Sequence, residues 1–128
     1  MKITQKQIEA VIALPGPKRY AHFIKVAADQ RQVWGLYLDG WALAGTSDET
    51  PVFPIWPAKE YALLCATKDW AQYEAKAIDL DYLLETLIPN LKDDQVKLGV
   101  FYTPNDKGVL PELDQFTSDI RMELDRIE

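Results

Sequence analysis

The sequence predicts an α+β fold: a five-stranded mixed sheet that contains an N-terminal antiparallel hairpin and is flanked by about five helices. Three observations carry this expectation. Asp39-Gly40 stands between two apolar runs, residues 33–38 and 41–44, the pattern of a two-residue hairpin turn. Apolar residues recur at helical spacing in five other stretches. The chain has 128 residues, 48% hydrophobic and 27% charged, the size and composition of one globular domain. No linker is long enough to divide it, so residues 1–128 read as a single domain.

The elements follow in order. Thr4 and Gln7 form a capping box for a first helix, whose apolar stripe is Ile8, Val11 and Ile12. Pro15-Gly16 ends it, and Pro17 suits the first turn of a second helix, where a missing N–H loses no bond. There Tyr20, Phe23, Ile24 and Ala27 share one face, and Lys18, His22 and Lys25 another. In the hairpin, a two-residue turn sets Leu38 opposite Trp41 and Leu36 opposite Leu43. The core face then carries Trp34, Leu36, Leu38, Trp41 and Leu43. The other face, Gly35, Tyr37, Ala42 and Ala44, is small and flat enough for close approach.

A polar loop spans residues 45–50. Residues 51–56 read as a third strand, with Pro54 marking an edge or a bulge. A helix over residues 58–67 turns Tyr61, Leu64 and Cys65 inward, and Trp70 lies in the linker behind it. Residues 73–78 alternate weakly and form a fourth strand. Asp79 or Asp81 caps a helix with Leu80, Leu83, Leu84, Leu87 and Ile88 as its core face, which Pro89 ends or bends. The fifth strand is residues 96–102, with Val96, Leu98 and Val100 on one side. A turn at 104–108 precedes a last helix, opened by Pro111 and lined by Leu113, Phe116, Ile120, Leu124 and Ile127.

Charge and composition narrow the function. Residues 1–31 hold six Lys/Arg against two Asp/Glu, a net +4, and residues 32–128 hold eight against eighteen, a net −10. An acidic majority argues against general nucleic-acid binding, which needs clustered positive charge. Cys65 is the one cysteine, so no intramolecular disulfide forms, which fits a reducing compartment. The N-terminus lacks the apolar core of a signal peptide, and no apolar run approaches the ~20 residues that span a bilayer. The expectation is a cytoplasmic protein with no membrane partner.

Catalytic chemistry is sparse. One His and one Cys cannot build a His/Cys zinc cluster. There is no phosphate-binding glycine loop, dinucleotide fingerprint or nucleophile elbow. Cys65, on an apolar helix face, reads as an inert core residue. His22, between Lys18 and Lys25, reads first as a surface histidine. The acidic pairs Asp48/Glu49, Asp79/Asp81 and Asp93/Asp94 fall in loops or at helix starts, where carboxylates cap amides. No catalytic residue, metal ligand or cofactor is assigned.

The tryptophans are the richer signal. Trp34 and Trp41 belong to the hairpin. Trp56 and Trp70 bracket the third helix, and Trp56-Pro57 stands at its start beside Lys59, Glu60 and Tyr61. The plain account is that Trp56 plugs the base of the sheet. As a binding region, the candidates are Trp56, Pro57, Glu60, Tyr61, Trp70 and His22, around a pocket for an anionic or planar group.

The runs 20–28, Val33-Trp34-Gly35-Leu36-Tyr37, Asp39-Gly40-Trp41-Ala42, Phe53-Pro54-Ile55-Trp56-Pro57 and Glu60-Tyr61-Ala62, continuing through Ile78 and residues 100–104 to Gly108, resemble a bacterial family called domain of unknown function 2750. The family-like core is about residues 17–110. The resemblance implies a small cytoplasmic bacterial protein and carries over no activity and no catalytic residue. The stretch from strand into Pro-started helix is also loosely similar to secretion-associated and toxin-immunity domains, an analogy of fold only.

Three functional readings stay open. The first is a non-catalytic protein-binding module, adaptor or immunity-like, whose acidic body suits a basic partner. The second is a small carboxylate-dependent enzyme, with or without a metal. The third is a structural homodimer or larger homo-oligomer, packed through the Gly35/Tyr37/Ala42/Ala44 face.

Overall fold

The computed structural model describes residues 3–45 and 49–127. Residues 46–48 of the polar loop, with Asp48 of the first acidic pair, lie outside the described residues. Two helices open the chain, α1 (Gln5–Ile12) and α2 (Gly16–Gln30). The Thr4/Gln7 capping box forms as expected: the Thr4 hydroxyl accepts from the Gln7 amide, and the Gln7 side chain accepts from the Thr4 amide. Pro17 sits in the first turn of α2, and Arg31 closes that helix with φ 55°.

The strands are β1 (Gln32–Tyr37), β2 (Ala44–Gly45), β3 (Pro51–Ile55), β4 (Glu74–Asp79) and β5 (Lys97–Val100). Among the described residues they make two sheets, not the single five-stranded sheet expected. β1 pairs antiparallel with β4, from Gln32 opposite Asp79 to Tyr37 opposite Glu74. β3 lies between β2, antiparallel, and β5, parallel. The mixed character expected from the sequence is therefore present in the second sheet alone. One antiparallel bridge joins the sheets: the Trp34 and Trp56 amides each donate to the other's carbonyl at 2.8 Å.

The hairpin accounts for the split. Asp39 takes φ 55°, but Gly40 has no positive φ, so the two-residue turn does not form. Tyr37 instead bridges Trp41 across a three-residue loop, and the Ala42 amide donates to Leu36. That shift of one position reverses the expected faces of the arm after the turn, while Leu36 before it is buried as expected. Leu38 and Leu43 are exposed (44% and 51%), while Leu36 and Ala42 are buried. The small face does not exist as a surface either. Gly35 and Ala42 are buried, and the Trp41 ring lies over Gly35. Beyond the bridge the chain leaves β1, whose free edge β4 occupies.

The third helix, α3 (Lys59–Leu64), is shorter than expected, and a 3-10 turn at Lys68–Trp70 follows it. Pro89 does not end the next helix. Leu80–Tyr82, Leu83–Leu87 and Ile88–Asp94 follow one another as α, π and α turns of one helix, α4. A π turn ahead of Pro89 removes the clash its ring would make with an α-helical carbonyl four residues back. β5 stops early because Phe101 takes φ 66°. The last helix, α5 (Leu113–Ile127), packs Phe116 against Phe23 of α2 at 5.9 Å between rings. The core runs between the helices and both sheets, with Phe23, Val33, Ile55, Trp56, Leu83, Leu98, Phe101 and Ile120 essentially sealed from solvent. Among the described residues no helix is long and apolar enough to cross a membrane.

Candidate apolar cleft

Phe101 is the centre from which the site is built. Its left-handed backbone ends β5, and its amide still donates to Ile55 at 2.9 Å. Its ring meets Tyr61 of α3 at 4.9 Å and His22 of α2 at 6.4 Å, centroid to centroid. Arg19, buried, fixes the Phe101 backbone from below. Its Nε donates to the Phe101 carbonyl at 3.1 Å, Nη1 to Leu14 at 2.8 Å, and Nη2 to Asp106 at 2.9 Å and to Lys107 at 3.4 Å.

Above Phe101, α1, α2 and α3 enclose a cleft of about 220 Å³. Ile3, Ala10, Val11 and Val26 give it apolar walls, and Gln7, His22 and Tyr61 its polar groups. Tyr61 is 3% exposed. Neither its hydroxyl nor the His22 imidazole has a hydrogen-bond partner among the described residues. Every fully enclosed side-chain N or O there does have one. The Tyr61 hydroxyl therefore reaches the cleft, not the core. Burial, then the Glu60 charge, raises the Tyr61 pKa. Burial, then the Lys25 charge, lowers that of His22. Both groups are thus held neutral around pH 7, each offering one donor and an acceptor.

Past Ile3 and Val26 lies a second depression of about 190 Å³, edged by Gln30, Gln32, Trp34, Pro57, Ala58, Lys59 and Glu60. Four of the six candidates from the sequence, His22, Pro57, Glu60 and Tyr61, thus border one bent groove. The other two lie elsewhere. Trp56 is fully buried and donates from Nε1 to the Tyr102 carbonyl at 2.9 Å. Trp70 meets it edge to face at 6.3 Å and lines a separate open depression with Cys65, Thr67, Tyr102 and Thr103.

Ile3, Gln7, Val11 and Val26 were not singled out from the sequence as site residues. Val26 falls off the Phe23/Ala27 stripe of α2, the one hint that this helix has a second apolar contact. Cys65 has little nucleophilic character: burial pushes its thiol up to about 11, and Sγ donates to the Tyr102 carbonyl at 3.4 Å. Among the described residues, no three His, Cys, Asp or Glu side chains are grouped to hold a metal ion.

These features define a small α+β domain with an apolar cleft between three helices and two uncommitted neutral hydrogen-bonding groups inside it. The chain belongs to the family of proteins of unknown function DUF2750, whose model matches residues 20–120. The match reaches further toward the C-terminus than the core of about 17–110 read from the sequence. No curated protein matches the chain.

Proposed function

We propose that this protein is a non-catalytic binding module, adaptor or immunity-like, whose cleft receives an anchor side chain of a protein partner. The observation that carries the reading is Tyr61, almost wholly buried yet with its hydroxyl unpartnered and turned to an apolar cleft. The hydroxyl is open to the cleft and has no partner on the chain, so an incoming group can pair with it there while apolar surface is buried around it. An enzyme reading needs converging acids, and Glu60 is the one carboxylate that borders the groove among the described residues. The net −10 of residues 32–128 favours a basic partner surface beyond the cleft, whose own walls come mostly from residues 1–31, net +4.

The test fills the cleft. Ala10 is exposed on α1 and lines it, so Ala10→Trp blocks the site with little effect on the core. A protein captured from host lysate by wild type, lost with Ala10→Trp and bound again when purified, is the expected result. Equal binding of that purified protein to both forms refutes the cleft as the site.

A further inference from the structure

We infer that the anchor is a tyrosine side chain, whose ring fills the cleft and whose phenol hydrogen-bonds to the Tyr61 hydroxyl and the His22 imidazole. The inference rests on the binding reading above and gives the partner a chemistry.

Size comes first. A cavity of about 150 Å³ holds a benzene ring. The cleft, at about 220 Å³, has room for a ring with one small substituent. Ile3, Val11 and Val26 supply aliphatic walls for the faces of such a ring. The polar groups then select the substituent. Tyr61 and His22 share Phe101 as their support, and each is neutral, with both a donor and an acceptor to satisfy. A phenol donates once and accepts once, so it can serve both. A carboxylate or an ammonium would carry an unpaired charge into a cleft walled by Ile3, Val11 and Val26, which costs far more than burying a neutral phenol. A phenylalanine ring would seal both groups from water without replacing their bonds, which is the costly case. The second depression, past Ile3 and Val26, offers the Gln30 and Gln32 side-chain amides to the peptide backbone beside the anchor.

The experiment is an NMR titration of the full chain, with methyl labels on valine, against N-acetyl-tyrosinamide, N-acetyl-phenylalaninamide and p-cresol. The tyrosine amide is expected to shift the Val11 and Val26 methyls and to bind about tenfold more tightly than the phenylalanine amide. Tyr61→Phe keeps the ring on Phe101 and should cut that preference to about threefold or less. Equal binding of the two amides overturns the tyrosine assignment and leaves the binding module standing. No shift from any of the three overturns both. Tighter binding of p-cresol than of the tyrosine amide assigns the cleft to a free phenol and overturns the protein anchor.

Discussion

His22 and Tyr61 owe their position to one backbone angle at Phe101. A non-glycine residue at φ 66° is uncommon, and here it carries the ring under both side chains. Nothing in the local sequence announces it, since Val100-Phe101-Tyr102 reads as uninterrupted strand. The histidine itself was visible, but its surroundings were not, because burial by α1 and α3 is a tertiary fact. That burial has a measurable consequence. Desolvation, then Lys25, holds the folded pKa of His22 below the ordinary 6.5. On acidification the unfolded chain takes up the proton first. The contribution is therefore complete above 6.5 and is lost as pH falls through the lower folded value. Urea midpoints from about pH 8 to about pH 5 should drop more steeply for wild type than for His22→Gln. Parallel curves would contradict the burial of the imidazole.

Elements differ in how plainly the sequence shows them. The helices were readable because their apolar spacing is local: the Thr4 capping box, the Pro17 start and the stripe from Phe116 to Leu124 all appear where expected. Strand partners were not. β4 is rich in alanine and charge, a muted pattern suited to an exposed edge, and β1 pairs with it from 42 residues or so away in the chain. The hairpin's parity turned on whether Gly40 took a positive φ, which Asp-Gly permits without requiring. Glycines show where chain segments approach most closely. A Cβ at Gly108 would stand 2.3 Å from the Val100 carbonyl oxygen, at the bridge between Val100 and Val109. At Gly35 it would meet the Trp41 ring at 2.9 Å. Backbone held in a bridge has no room to yield, whereas a half-buried indole can tilt. Gly108→Ala is expected to cost about 3 kcal/mol and Gly35→Ala about 1 kcal/mol by equilibrium unfolding. Equal costs would mean that the Trp41 ring is as fixed as a main chain.

Across the whole molecule, α+β class, five helices and a mixed sheet were legible, and the division into two sheets was not. The division depends on the Trp34–Trp56 bridge and the β1–β4 pairing, contacts between distant segments that no local pattern encodes. Arg19 was missed for a related reason. It sits four residues before Phe23 on the buried face of α2, but its charge argues for the surface. Its guanidinium ties α2 to the α1–α2 connection and to residues 101–107 of the C-terminal part. Three of its four acceptors are backbone carbonyls, while Asp106 is 59% exposed. Arg19→Ala should therefore destabilise by about 3 kcal/mol, since it strands the buried Phe101 carbonyl and the part-buried Leu14 carbonyl and empties a buried site. Asp106→Asn should cost under about 1 kcal/mol, as for an exposed ion pair. Chemical denaturation of the two variants checks the ranking, and a larger loss for Asp106→Asn would reverse the assignment.

The same tie has a direction in time. Three of the acceptors of Arg19 lie more than eighty residues downstream, so a ribosome must add all of that intervening chain before they emerge. Until then the cation stays hydrated among the apolar residues of α2. A nascent fragment thus keeps a charge on the very face that would otherwise stick to its neighbours, and surrenders it to the interior only when the C-terminal third arrives to receive it.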